Sequence, residues 1–342
     1  MSFRVGFSSD LSDGKGGFSW GDIAIHTLGD LSWNLLDDCG SNFTPESVKG
    51  YDAIAFAGPG VVKGSFGAPE ESPLIIARFG VGYDNIDLEE CTRAGVALTI
   101  TPDGSQKPVA TAALTLLLST MHRLNAKIDL AQNNQWGQRL SNGLGFGLNG
   151  KKVGTVGFGN IATEFFRLIT PFDAQRFAHD PWKKQSEADP HNVTLLSLED
   201  LLATCDVIVV MAALTKETKH LINSSNIGLM KKSAFLINIS RGPLVEESAL
   251  IAALNSGAIA GAGLDVFEQE PPAADNPLLS MENVVVTPHN LAWTDELGFG
   301  MGKSAFTSIV AISQGNIPAY VVNKDVLDTP QFKAKLERVK NG

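Results

Sequence analysis

The chain has 342 residues, and at roughly 150 residues per domain that length predicts two domains. Hydrophobic residues make up 44 % and charged residues 19 %, which is ample apolar material for packed cores and too little charge for disorder. With 27 basic against 37 acidic residues the net charge is −10, and the basic doublets Lys151-Lys152, Lys183-Lys184 and Lys231-Lys232 are scattered, so neither nucleic acid nor a membrane is expected as a partner.

In chain order, short β-rich runs alternate with helical patterns, which predicts an α/β protein with parallel sheets. A strand is expected at Phe3–Phe7 and a helix around Ile23–Leu36. Strands follow at Ala53–Ala57, Leu74–Arg78 and Val96–Ile100, with helical Leu88–Ala94 before the last. Thr101-Pro102-Asp103-Gly104-Ser105 reads as a turn-forming break, and Val109–Ile128 as a long apolar helix bridging two domains. After a loose segment, Asn133–Gly150, six more strands are expected: Lys152–Val156, Ala174–His179, Asp206–Met211, Ala234–Ile239, Ala260–Val266 and Val284–Thr287. Ser197-Leu198-Glu199-Asp200 has capping-box spacing and opens a helix through Leu201–Cys205. Beyond Trp293 the pattern is helical to about Gln314 and then irregular. Six strands with helical crossovers make a doubly wound sheet of dinucleotide-binding size.

The N-terminus has no charged-then-apolar signal pattern, and the most apolar runs fall short of the ~18–20 residues of a membrane span. Cys39, Cys91 and Cys205 are too dispersed for a disulfide framework or a metal cluster. The five histidines other than His289 (His26, His122, His179, His191, His220) show no metal-ligand spacing. A soluble, cytoplasmic protein without a metal is expected.

Gly157-Phe158-Gly159-Asn160-Ile161-Ala162 follows the strand at Lys152–Val156 and opens a helix. In such a turn the first glycine permits the bend, the second lets the backbone approach a pyrophosphate, and a small third residue lets helix and strand pack closely. The uncapped amides at the helix start then hold the phosphates. Asp180 ends the next strand, where an acidic side chain accepts hydrogen bonds from the adenosine ribose. It also repels a 2′-phosphate, so NAD is favoured over NADP. Three later strands deliver Arg241, then Asp265 and Glu270, then His289 to the same sheet edge. An arginine that holds a carboxylate and polarises a carbonyl, beside a His–Glu pair that gives a proton, suits carbonyl reduction.

The motifs Arg78-Phe-Gly-Val-Gly-Tyr-Asp-Asn-Ile-Asp87, the glycine turn, Ile237-Asn-Ile-Ser-Arg-Gly-Pro-Leu-Val-Glu246, Gly263-Leu-Asp-Val-Phe-Glu-Gln-Glu-Pro271 and Thr287-Pro-His289 occur in this order. Through them the chain resembles the D-isomer-specific 2-hydroxy acid dehydrogenases. The resemblance implies a Rossmann-type NAD domain (107–293) inserted in a flavodoxin-like substrate domain (1–106 and 294–342), and a homodimer built on the NAD domain. It implies that Arg241 binds substrate, His289 is the general acid/base, and Glu270 orients and charges the histidine. The amides of Val81 and Gly82 would hold the substrate carboxylate. Gly157, Gly159, Asn160, Ile161, Asp180, Ala212, Thr218, Ile239, Ser240 and Asp265 would line the cofactor, with Asp265 at the nicotinamide carboxamide.

The chain departs from the family pattern at Met211, at Ala213-Leu214-Thr215 and at Thr111. Arg78 and Lys107 each have two readings, a solvated charge or a contact to an anionic group of the substrate. Trp293 reads as a buried aromatic between domains or as part of the pocket wall. Glu270 stands where formate dehydrogenases carry glutamine, and the chain ends too soon for the regulatory domain of long phosphoglycerate dehydrogenases. The expected function is NAD-dependent interconversion of a small 2-oxo acid and its D-2-hydroxy acid. The alternatives are an NADP-linked glyoxylate/hydroxypyruvate reductase, a short phosphoglycerate dehydrogenase-like enzyme, or a dinucleotide-sensing corepressor.

Overall fold

A computed structural model describes residues 3–141 and 143–341. The chain divides into two compact units, Met1–Ser105 with Trp293–Gly342, and Gln106–Ala292.

The first unit carries five parallel strands: β1 (Arg4–Phe7), β2 (Ser32–Leu35), β3 (Ala53–Phe56), β4 (Ile75–Arg78) and β5 (Ala97–Thr99). Their order, β2-β1-β3-β4-β5, is the flavodoxin-like one. β3 is buried at all four positions, as a central parallel strand covered on both faces must be. The helix expected over Ile23–Leu36 is not formed. That segment is a short 3-10 turn (Ile25–Leu28) followed by β2, an edge strand exposed at every position. Its helical spacing is overridden by an aromatic stack: the Trp33 ring lies 4.7 Å from Phe7, which lies 5.3 Å from Phe306.

Two further elements differ from expectation. The expected break at 101–105 is the start of the helix Pro102–Met121, because Pro in a first turn and Asp near a helix start serve helices as well as turns. Near its start a Cβ on Gly104 would come within 2.4 Å of the Gly300 carbonyl oxygen on the helix Asp295–Ser313, so the two backbones cross in contact. The C-terminal stretch read as irregular contains the helix Pro330–Asn341.

The second unit carries seven parallel strands: β6 (Lys152–Val156), β7 (Gln175–His179), β8 (Val193–Leu195), β9 (Val207–Val210), β10 (Phe235–Asn238), β11 (Gly261–Leu264) and β12 (Val284–Val286). β8, three residues long and missed in the sequence, pairs with β7 at the sheet edge. The order β12-β11-β10-β9-β6-β7-β8 places the topological switch between β6 and β9, where a doubly wound sheet binds its ligand. The Ser197 hydroxyl caps the helix Leu198–Thr204 by accepting the Asp200 amide. Among the described residues no helix is long and apolar enough to cross a membrane.

Candidate active site

At the switch point the glycine turn leaves β6 for the helix Asn160–Leu168. Gly157 has φ +96°, and a Cβ there would lie 2.8 Å from the Ala212 nitrogen beyond β9, so only glycine lets the two strand ends approach. A Cβ on Gly159 would meet nothing within 4 Å, and no side chain caps the helix. Its first-turn amides are therefore left without a side-chain cap, while Ala162 behind them is buried. A dinucleotide pyrophosphate fits this cradle. Asn160 is exposed and Ile161 half-buried beside it. Asp180, just past β7, accepts the Phe158 amide at 2.9 Å and the Trp182 amide at 3.0 Å. Both carboxylate oxygens are thus fixed by backbone, each with a lone pair left for a hydroxyl.

Across the switch the Ser240 hydroxyl donates to the Ala212 carbonyl at 2.5 Å, and the Thr218 hydroxyl to the Ala213 carbonyl at 2.8 Å. These two groups shape their own loops. Ile239 is buried beside them. Buried Asn238 accepts the Ser240 amide at 3.1 Å and donates to the Arg241 carbonyl at 2.9 Å, which sets the turn carrying Arg241. Immediately after it, a Cβ on Gly242 would overlap the Phe267 carbonyl oxygen at 1.8 Å. The Arg241 loop and the Glu270 loop touch there.

Glu270 Oε1 accepts the Phe267 amide at 3.0 Å, and Oε2 pairs with His289 Nδ1 at 2.7 Å. Burial pulls the Glu270 carboxyl up. The hydrogen bonds from His289 and Phe267, with the charges of His289 and Arg241, outweigh it and hold the group below the usual carboxylate range. His289 has φ +54° and an exposed side chain. Its turn hangs on Asp265, whose Oδ1 accepts the Thr287 hydroxyl at 2.7 Å and the amides of Asn290 and Leu291 at 3.1 and 3.2 Å. Burial dominates at Asp265 and raises its carboxyl despite those bonds. This use of Asp265 as the anchor of the histidine turn was not legible in the sequence.

The second unit thus brings Arg241, Glu270 and His289 to the carboxyl edge of the sheet that also carries the glycine turn. Lys107 lies near the same helix: after the Arg167 hydrogen bonds and charge, its charge helps hold Glu164 low. Its neighbour Gln106 donates to the Asn160 carbonyl at 3.0 Å.

Val81 and Gly82 belong to the first unit, half-buried in the loop after β4. Gly80, with φ +126°, donates to the Thr101 hydroxyl at 2.9 Å and anchors that loop. Arg78 ends β4 with its guanidinium over the Phe56 ring. Trp293 is not buried. It is 56 % exposed and packs on Trp20 with centroids 4.3 Å apart. Burial pushes the thiols of Cys91 and Cys205 up to about 12, so neither is a thiolate at neutral pH.

The sequence profile described as "D-isomer specific 2-hydroxyacid dehydrogenase, NAD binding domain" matches residues 114–290. A glyoxylate reductase of Thermococcus kodakarensis is 39 % identical over 258 residues, 74 % of this chain and 77 % of that protein. Among solved structures, an NADPH-dependent glyoxylate/hydroxypyruvate reductase from Sinorhizobium meliloti is similar at TM-score 0.79 and 26 % identity, covering 95 % of this chain and 98 % of that one. D-2-Hydroxyisocaproate dehydrogenase shares the fold, with TM-score 0.78 and 23 % identity over 94 % and 100 % of the two chains. The chain belongs to the D-isomer specific 2-hydroxyacid dehydrogenase family. It is accordingly an oxidoreductase of 2-oxo and 2-hydroxy acids with a dinucleotide-binding domain.

Proposed function

We propose that this enzyme uses NADH to reduce a small 2-oxo acid of the glyoxylate type to the corresponding 2-hydroxy acid. The observation that carries the reading is the His289–Glu270 pair at 2.7 Å, at the same sheet edge as Arg241 and the glycine turn. The glyoxylate reductases among the relatives support the substrate class. Asp180 supports NAD, because its fixed carboxylate repels a 2′-phosphate, while Lys183 is engaged by Glu187 at 2.8 Å.

In this mechanism the 107–293 domain binds the dinucleotide, and the domain formed by 1–106 and 294–342 binds substrate. The Arg241 guanidinium binds the substrate carboxylate and polarises the carbonyl; its planar fork suits two oxygens at once. The amides of Val81 and Gly82 hold the carboxylate; among the described residues neither donates elsewhere. Bound NADH supplies the hydride for the carbonyl carbon. His289 gives its proton to the carbonyl oxygen from Nε2, since Nδ1 faces Glu270. Asp265 keeps the histidine turn in place and, with Ser240 and Thr218, borders the nicotinamide side.

The second unit is the dimer-forming one. Six large exposed apolar side chains (Leu124, Ile128, Trp136, Leu140, Leu144 and Phe146) fall within one stretch of it. Three buried free thiols suit a reducing, cytoplasmic setting.

The test is NADH and NADPH consumption with glyoxylate, hydroxypyruvate and pyruvate. Turnover with NADH and glyoxylate is expected. Dinucleotide binding without turnover of any 2-oxo acid would favour a nucleotide sensor instead.

A further inference from the structure

The second unit holds another histidine–carboxylate pair for which the reaction above has no use. His220 Nε2 hydrogen-bonds Glu268 Oε1. An ionised carboxylate only accepts, so this ring nitrogen carries the proton. Glu268 Oε2 accepts the Glu247 amide at 3.0 Å. The Glu247 carboxylate in turn accepts the Glu268 amide at 3.2 Å and the Asn276 side-chain amide at 2.7 Å. Glu246 lies close enough to feel the His220 charge. Three connections meet here: His220 lies in the loop after β9, Glu247 opens the helix after β10, and Glu268 follows β11.

His220 is held in place as firmly as it holds. Its φ is +53°, its amide donates to the Pro243 carbonyl at 2.7 Å, and its carbonyl accepts the Asn223 side chain at 2.8 Å. Two residues on, the Ile222 amide donates to the Leu244 carbonyl and the Glu246 amide to the Ile222 carbonyl, zipping the β9 and β10 loops together. Glu268 is the middle of the short turn that presents Glu270. Phe267, just before it, supplies the amide that Glu270 Oε1 accepts. The carboxylate that meets His289 is thus gripped at its base by a group outside the reacting cluster.

We propose that His220 is a positioning residue for the Glu270–His289 pair, acting through Glu268 to hold the Phe267–Glu270 turn. The proposal rests on the reading of Glu270 and His289 as the proton-handling pair. Without the imidazole, Glu268 loses its charge-assisted bond to the β9 loop and keeps only backbone partners. The turn then wanders, and small misplacements of a reacting group cost large factors in rate.

The test is a double-mutant cycle on the full-length protein, with His220→Ala and His220→Gln each placed in the wild-type and Glu270→Gln backgrounds. The glutamine amide stands near the position of the ring Nε2 and can donate to Glu268. His220→Ala is expected to lower kcat for 2-oxo acid reduction by about tenfold, with dinucleotide Kd within twofold, and His220→Gln to restore it to within threefold. In the Glu270→Gln background His220→Ala should cost less than twofold further. An equal loss in both backgrounds, or a glutamine variant no better than alanine, overturns the proposal, because His220 would then act independently of Glu270. Hydrogen exchange of the 266–270 amides in the cofactor-free protein gives a second readout. It is expected to quicken in His220→Ala, and unchanged exchange overturns the proposal. If wild-type protein reduces no 2-oxo acid, the reading of the reaction fails, and the exchange measurement alone still decides what His220 holds.

Discussion

At the residue scale, the proposed choice of NAD rests on Asp180. Its carboxylate is locked by the Phe158 and Trp182 amides, so it cannot swing away from a 2′-phosphate. Asp180→Ala is expected to weaken NADH use and raise relative use of NADPH, measured as the ratio of kcat/KM for the two; an unchanged ratio would remove Asp180 from the ribose site. At Arg241 the geometry of the charge matters more than its presence. Arg241→Lys keeps the charge and loses the fork, so kcat/KM for reduction should fall by about 10²-fold or more while dinucleotide affinity holds. Glu270→Gln keeps the size but removes the carboxylate that pairs with His289 Nδ1, so kcat/KM for reduction should fall about tenfold or more while dinucleotide affinity holds. Because the Glu270 carboxyl is held low in the fold, its contribution to stability is complete above about pH 4.5 and is lost as pH falls through the lowered value.

Among the elements, the C-terminal helix Pro330–Asn341 docks through a buried cation. Lys335 is 4 % exposed, and its ammonium donates to the carbonyls of Pro73 at 2.8 Å and Ala94 at 2.9 Å. Burial, with a smaller effect of the Arg338 charge, pushes its pKa down to about 7, against about 10.4 in an unfolded chain. Between those values unfolding takes up a proton, so the fold gains stability as pH rises from 7 toward 10. Below 7 both states are protonated and the cost is constant. Urea denaturation of wild type and Lys335→Met at pH 7, 8 and 9 should show the difference shifting toward wild type by about 1 kcal/mol per pH unit. Parallel stabilities would mean that the lysine stays charged in the fold. The same helix shows why an element can hide in sequence. Its charged residues outnumber its apolar ones, and it is held by Phe332, Leu336 and this one lysine.

For the whole molecule, the exposed apolar stretch makes an assembly prediction. Leu140 and Leu144 are 83 % and 85 % exposed. Replacing both with Asp should convert a dimer into a species of 36.4 kDa by light scattering; a wild-type protein that already runs as a monomer would sink the idea. At this scale the sequence read well wherever period and motif agreed. β6 was legible to the residue because its β-branched Val153, Thr155 and Val156 run straight into a glycine turn, and β9 and β10 because central parallel strands are almost wholly apolar. The order of Arg241, Glu270 and His289 along three successive strands already put them at one sheet edge.

The local grammar of the chain therefore determined the parallel α/β fold, the dinucleotide turn and which side chains the proposed reaction draws on, since each is read from short motifs along the chain. Contacts between distant residues decided the rest. Trp33 stacking on Phe7 turned a helical pattern into an edge strand, and the contact of Gly104 with Gly300 shows a turn-like pentapeptide starting a helix. The near-overlap of Gly242 with Phe267, the three bonds accepted by Asp265 and the His220–Glu268 pair set where Arg241, His289 and Glu270 stand. Such contacts exist only after the strands have been brought side by side, and no spacing along a single chain encodes them.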